Sequence, residues 1–240
     1  MEDLALITPT SDRPVAFQLC ERWMARALAD YGGPVRWYVV DDGVEPVRCS
    51  LDQTVIRRAP CASRAESFLG NLWAGLDAVR ESRILFIEDD DWYAVDYVSA
   101  MAEALEHADI VGEGRAKYYS LPSRRFFVFE NTDYASLCQT GIRRSLLSWF
   151  VGHVSQSKEV YVDQPLWMRG GANFRRRLAN ESRRCIGIKG LPGKTGLSEG
   201  HAGEPNWDGI DECGNILRSW LGQEDADIYF QEIAAKFLPR

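Results

Sequence analysis

Four consecutive acids, Glu88-Asp89-Asp90-Asp91, follow directly on the apolar run Ile84-Leu85-Phe86-Ile87. A bare carboxylate in an apolar interior is costly, so a buried strand must end where the acids begin. Like charges this close repel one another. A divalent cation bridging the protein to a phosphate relieves the repulsion, and an all-oxygen donor set suits Mg²⁺ or Mn²⁺. A solvated acidic turn has the same composition, but the position directly after a core strand and before Trp92-Tyr93 favours the metal site. The acids are consecutive rather than alternating, which disfavours a Ca²⁺ loop.

Other residues able to do chemistry sit at comparable places. Leu4-Ala5-Leu6-Ile7 runs into Thr8-Pro9-Thr10-Ser11-Asp12-Arg13-Pro14, and Trp37-Tyr38-Val39-Val40 runs into Asp41-Asp42-Gly43. Between these strands, Phe17, Cys20, Trp23, Met24, Ala27, Leu28 and Tyr31 recur at helical spacing up to Gly32-Gly33-Pro34. Thr54-Val55-Ile56 is a weaker strand. Ser63 and Glu66 have capping-box spacing and open a helix with Ala65, Phe68, Leu69, Leu72, Trp73, Leu76 and Val79 on one face. A further helix begins near Val95. Strands alternating with helices predict an α/β fold with a mainly parallel sheet, whose ligands bind beyond the carboxyl ends of the strands. Thr8–Arg13, Asp41-Asp42 and Glu88–Asp91 should therefore converge on one edge.

After residue 108 the pattern changes. Asp109–Gly112 and Phe126–Phe129 read as strands, with a hairpin turn over Ser120–Arg125, and Leu146–Val151 reads as helical. Asn173–Arg184 is expected to be a basic helix. Ile186–Gly196, with its Gly and Pro, is expected to be a flexible loop leading to His201, and the tail from Ile210 is helical in places. The expectation is one domain over 1–240, with a first half at 1–108 and a second at 109–240 that carries a flexible loop at 187–201.

The chain is 240 residues long with 45% hydrophobic and 26% charged residues, ordinary values for a globular protein. No apolar run is long enough to cross a bilayer, and the acidic start Met1-Glu2-Asp3 does not read as a signal peptide. Six scattered cysteines without C-x-x-C spacing read as reduced thiols, and the expected location is the cytoplasm of a bacterium or phage-infected host. The net charge of −7 is uneven: Arg115–Lys194 holds 15 Lys+Arg against 5 Asp+Glu. Arg124-Arg125, Arg143-Arg144, Arg175-Arg176-Arg177 and Arg183-Arg184 make up most of this basic middle, which suggests an anionic partner.

The ordered set Leu6-Ile7-Thr8-Pro9-Thr10, Val39-Val40-Asp41-Asp42-Gly43, Phe86-Ile87-Glu88-Asp89-Asp90-Asp91 and Val162-Asp163-Gln164-Pro165-Leu166-Trp167 resembles the GT-A-fold glycosyltransferases, in particular the inverting, DxD-containing, family 2-like enzymes. The first three segments match in order and spacing over roughly the first 110 residues, while the second half matches only through Asp163 and His201. The resemblance implies a hexosyltransferase-type enzyme that moves a sugar from a nucleotide diphosphate, a UDP-sugar first among donors, to an acceptor hydroxyl with inversion. It implies Thr8, Pro9 and Arg13 on the nucleotide pocket, Asp41 or Asp42 on the base or ribose, and Asp89 on the ribose. Asp90 is the first choice as ligand of Mn²⁺ or Mg²⁺ and Asp91 the second, with His201 as a late third ligand. Lys189 and Lys194 would meet the diphosphate, and Asp163 would be the general base. The anionic acceptors that suit the basic middle are DNA with hydroxymethylated bases, a phosphorylated lipid or an acidic glycan. Tyr118, Tyr119, Phe126, Phe127 and Phe129 interleave with the arginines and could stack on it or form core.

Two other classes remain open from sequence. A nucleotidyltransferase on a related fold usually has a Gly-rich loop after its first strand, whereas Thr8–Pro14 has no glycine. A non-catalytic nucleotide- or glycan-binding module would bind ligand with metal and turn nothing over.

Overall fold

A computed structural model describes residues 3–169, 174–193 and 207–234. The chain begins with β1 (Leu4–Thr10), then α1 (Pro14–Tyr31), β2 (Val35–Asp41), β3 (Thr54–Arg57), α2 (Arg64–Ala78) and β4 (Arg83–Phe86). Strands β4, β1, β2 and β3 are parallel neighbours in that order. Alternation along β1 sends Leu4 and Leu6 into the core under α1, and Ala5 and Ile7 into the core under α2. Each face of the sheet therefore has its own apolar layer, the doubly wound arrangement that the alternating pattern predicts.

Local chemistry sets the helix ends. Asp12 turns the chain with φ +48°, and Pro14 opens α1 with its fixed φ and no wasted N–H. Gly32 closes α1 in the left-handed region, its N–H donating to Leu28 O at 3.0 Å. Ser63 Oγ accepts the Glu66 N–H at the start of α2, as the capping spacing predicts. One residue departs from the expected α2 face: Trp73 is exposed to solvent.

The acids lie in the short link between β4 and β5 (Trp92–Tyr93), ahead of α3 (Tyr97–His107) and β6 (Ile110–Glu113). Then come β7 (Lys117–Ser120), β8 (Arg125–Val128), β9 (Thr140–Arg143), α4 (Leu147–Gln156), α5 (Asp163–Met168), β10 (Arg176–Ala179), β11 (Cys185–Lys189), β12 (Gly209–Ile210), α6 (Asn215–Leu221) and α7 (Gln223–Asp227), and a π-helical turn spans Ile228–Ala234. Antiparallel β9 extends the central sheet between β4 and β6, and β10 closes it in the order β10-β6-β9-β4-β1-β2-β3. A second sheet runs β12-β8-β7-β11-β5, and its β7–β8 pair is the hairpin expected around Ser120–Arg125. The described residues contain no helix long and apolar enough to cross a membrane. All six cysteines are free thiols, as their spacing predicts.

Two expectations are corrected here. The basic segment expected to be a helix over Asn173–Arg184 instead forms β10, because its backbone pairs with β6 in parallel register from Arg176↔Ile110 to Ala179↔Glu113. The glycine-rich stretch expected to be a flexible loop begins as β11, buried along its length, with Ile188 in parallel register with Tyr119 of β7. Gly187 is what lets it fit: a Cβ there would lie 2.4 Å from the ring of Tyr118. A close approach that needs glycine was thus mistaken for flexibility.

Gly187→Ala is therefore expected to push Tyr118 aside and cost about 1–3 kcal/mol of stability. Denaturant unfolding with an unchanged slope and a lower midpoint is the expected result. A midpoint equal to the parent's would remove this account of the glycine.

Candidate functional site

Parallel pairing brings the polar strand ends together. Thr10 is opposite Asp41, and Asp41 is opposite Arg57. Ile87 N–H donates to Ile7 O at 2.9 Å, which carries the acids to the same edge. Asp89, Asp90 and Asp91 are all at most 3% exposed, so they need internal partners. The Glu88–Asp91 turn is braced by Glu88 N–H donating to Tyr93 Oη at 2.8 Å.

The partners come from both halves of the chain. Asp89 accepts Thr10 Oγ1 at 2.7 Å on one oxygen and Arg13 Nη1 at 2.5 Å on the other. The second guanidinium nitrogen of Arg13 lies 3.2 Å from Asp90 Oδ2. Lys189, at the end of β11, places Nζ 3.3 Å from Asp90 Oδ2 and 3.3 Å from Asp91 Oδ1. Asp91 Oδ1 also accepts Ile188 N–H at 3.2 Å, while Asp91 Oδ2 is buried without a hydrogen-bond partner. Burial pushes Asp90 up, but Lys189 and then Arg13 outweigh it and hold its carboxyl below the usual aspartate value. Burial raises Asp89 and Asp91, and Arg13 and Lys189 only partly offset it. Glu88 is raised by burial and then by Asp91. Lys189 is held well above the usual lysine value, because Asp90 and Asp91 outweigh the effect of burial.

These residues fit a hard divalent cation. Glu88, Asp90 and Asp91 each offer a carboxylate oxygen, and the three oxygens lie within 4.8 Å of one another. The unpartnered Asp91 Oδ2 is the atom such an ion would satisfy. Asp89 has both oxygens engaged and stands outside the set. Asp91 also lies beside the buried thiols of Cys138 and Cys185, with all three ligand atoms within 4.8 Å. Cys138 is raised by its hydrogen bond with Cys185 and then by burial, while burial pushes Cys185 up to about 12.

The sequence-predicted donor residues divide by what they touch. Pro9, Arg13, Asp89 and Asp90 line one small recess of about 50 Å³ together with Thr10 and Asn71. Thr8, expected on the nucleotide pocket, is instead fully buried, and its Oγ1 accepts Trp37 Nε1 at 2.9 Å. Strand alternation turns Thr8 inward, where a hydroxyl needs a partner. Asp41 is saturated by Gly43 N–H at 2.8 Å, Val47 N–H at 2.7 Å and the Arg57 guanidinium, and it lines a groove of about 650 Å³ with Phe17, Pro46 and Arg48. Asp42 accepts Ser67 Oγ at 2.9 Å and Asn71 Nδ2 at 3.0 Å on Oδ1, and its Oδ2 is buried without a partner. Lys194 and His201 lie outside the described residues.

Asp163 and Lys189 line a third cleft of about 450 Å³, together with Glu88. Burial raises Asp163 above the usual aspartate value, and backbone N–H groups of Gln164, Asp163 and Leu137 partly offset the rise. The three hollows adjoin: the groove and the recess share Thr10 and Arg13, and the recess and the cleft share Phe68 and Glu88.

The arginine pairs of the basic middle do not line this cleft. Arg143 donates to Leu105 O and Glu106 O, Arg144 to Val79 O, and Arg184 bonds Asp96 and Glu113. Arg124 donates to Glu212 O, and Arg183 meets Glu181. Among the described residues the arginine that reaches the cleft is Arg64, which the sequence left unremarked within a capping box. Of the candidate aromatics, Tyr118 and Phe129 line the cleft, with Phe68, Tyr134 and Tyr161 beside them. Tyr119 is core and bonds Asp211. Ser67 and Asn71 were also missed. Their signal was two polar residues four apart on an otherwise apolar helical face.

No protein-family model matches the chain, and no curated protein matches it. Solved structures do. TarS of S. aureus in complex with UDP-GlcNAc aligns over 81% of this chain and 60% of its own, with 14% identity and a TM-score of 0.53. The complex of the same protein with UDP covers 78% and 60%, at 13% identity and a TM-score of 0.52. The mannosyltransferase PcManGT from Pyrobaculum calidifontis, in complex with GDP-Man and Mn²⁺, covers 81% and 58%, at 13% identity and a TM-score of 0.52. The chain thus spans less than two thirds of the length of each. Identity this low carries the fold alone: the chain has the GT-A fold of these structures, as the resemblance of the ordered motif segments implies.

Removing Arg13 would leave Asp89 and Asp90 buried with a lost partner. Arg13→Met is expected to lose about 3–5 kcal/mol in chemical denaturation. A loss within experimental error would show that the aspartates do not depend on this guanidinium.

Proposed function

We propose that the chain is a metal-dependent, inverting glycosyltransferase that moves a sugar from a nucleoside diphosphate to an acceptor hydroxyl. The observation that carries the reading is the continuity of groove, acid recess and cleft, with the acids at the centre and Asp163 at the far end. The likeness to structures holding UDP, UDP-GlcNAc, or GDP-Man with Mn²⁺ supports a donor of that class.

The nucleoside would lie in the groove beside Phe17 and Asp41. Glu88, Asp90 and Asp91 would hold the Mn²⁺ or Mg²⁺ ion. When bound, the ion offsets the charge that develops on the departing diphosphate. Arg13 and Lys189 are the cations within reach of the same phosphates. In the cleft the Asp163 carboxylate would take the proton of the acceptor hydroxyl. That oxygen attacks the anomeric carbon while the bond from that carbon to the diphosphate breaks on the opposite face, which inverts the centre.

The aromatic wall of the cleft supports an acceptor that presents a flat or ring-shaped group, and Arg64 supports an anionic one. A hydroxymethylated base in DNA offers both, since the base stacks and the adjoining phosphate meets a guanidinium. One arginine gives a weaker salt response than the whole basic middle would.

The test is nucleotide release from a panel of UDP-, GDP-, CDP- and TDP-sugars with Mn²⁺, with and without hydroxymethylated DNA. Asp91→Asn and chelation are each expected to abolish transfer. Asp163→Asn is expected to lower kcat about 10²–10⁴-fold with donor binding retained. Because burial raises Asp163, kcat/KM should fall with decreasing pH from above the usual aspartate range, as the base becomes protonated. Full activity of Asp163→Asn, or no turnover of any donor, would overturn the reading. Activity confined to neutral acceptors would remove DNA.

A further inference from the structure

Lys189 pairs with two of the three carboxylates that a metal ion would use. Its Nζ lies 3.3 Å from both Asp90 Oδ2 and Asp91 Oδ1, and these carboxylates belong to the three-acid oxygen set. Arg13 already serves Asp89 and reaches Asp90, so three buried aspartates face two built-in cations. A divalent ion on the same carboxylates while the ammonium stays would add like charge to a buried site. The ammonium has to leave. It sits on a flexible four-carbon stem with three donors, whereas Arg13 is held in a fixed fork. Lys189 ends β11 and is followed by Gly190 at φ +86°, and it borders the open cleft as well as the acids.

We propose that Lys189 is a tethered counter-ion to the metal-binding carboxylates until donor arrives, and that its move from Asp90 and Asp91 to the diphosphate couples metal binding to nucleotide binding. The proposal rests on the metal-dependent donor site described above. Without nucleotide, a metal ion must displace an ammonium that then has no partner. With nucleotide, the diphosphate receives the ammonium and the carboxylates receive the metal. Each ligand then raises the affinity of the other by the same factor.

The experiment follows free Mn²⁺ by electron paramagnetic resonance, with and without UDP or GDP, correcting for the Mn²⁺ that each nucleotide binds in protein-free solution. The parent should bind Mn²⁺ at least about tenfold more tightly with nucleoside diphosphate than without. Lys189→Met should bind Mn²⁺ alone at least about tenfold more tightly than the parent and lose most of the coupling. Lys189→Arg, which keeps the charge, should still show coupling. Because Lys189→Met leaves buried carboxylates unpaired, its thermal unfolding is followed as well, and Mn²⁺ should raise its Tm by more than it raises the parent's. Lys189→Met binding Mn²⁺ no more tightly than the parent, or gaining no larger Tm shift, would overturn the proposal. Transfer that persists under chelation, with no Mn²⁺ bound, would overturn it and leave sugar transfer standing. The expected couplings without turnover of any donor would sustain it and remove the transfer reading.

Discussion

Three adjacent aspartates are buried, and the rest of the site follows from compensating them. A carboxylate removed from water needs a partner with good geometry, or it takes up a proton. The chain supplies Arg13 from the start of α1 and Lys189 from the end of β11, 76 and 99 residues away from the acids they meet. Such long connections are expensive to order unless rigid elements deliver them. Both cations sit at element ends: Arg13 directly before the proline that opens α1, and Lys189 on the last residue of a strand pinned between β5 and β7. The acids themselves link β4 in the central sheet to β5 in the second. The charge cluster is therefore also the joint between the two sheets.

That compensation is incomplete, and the incompleteness is informative. Asp89 is fully engaged by Thr10 and Arg13, whereas Asp91 keeps a buried oxygen with no donor. The same contrast recurs two strands over, where Asp41 is saturated and Asp42 keeps an unpartnered oxygen. In each cluster one acid maintains the local structure and its neighbour is left with an oxygen to offer. Both oxygens lie at one sheet edge, on strand ends that the parallel topology brings together.

The first half of this arrangement was legible in the sequence because its signals are local. Short apolar runs ending in acids, helical spacing between them, and a capping box are all read within a dozen residues. The second half was not, because pairing partners far along the chain decide it. Arg176–Ala179 has the composition of an exposed helix, yet the free edge of β6 claims it as a strand. Gly187 reads as flexibility, yet Tyr118 of β7 leaves no room for a side chain there. The arginine pairs read as one basic surface. Once folded, several of them satisfy backbone carbonyls and acids dispersed over the molecule, and charge counted along the chain overstated the charge facing the cleft. Thr8 and Thr10 differ by two residues and by an entire role. Both side chains are buried, but Thr8 closes a hydrogen bond to Trp37, while Thr10, at the end of the strand, reaches Asp89.

Helix α2 runs alongside both the acid recess and the cleft. Ser67 and Asn71 hold Asp42, and Asn71 also donates to Thr10 O, so one side of the helix is fastened to the polar strand ends. Phe68 lies between recess and cleft, and Arg64, one turn earlier, reaches the cleft alone. Residues three and four apart share a helical face. Arg64, Phe68 and Asn71 therefore place one helical face along both the recess and the cleft. Gly75 brings this helix against β1, where a Cβ would meet Ile7 at 2.6 Å, so the helix cannot slide outward without losing that contact. The placing of recess against cleft thus rests on a helix packed on the sheet, with Arg64 and Phe68 toward its open end.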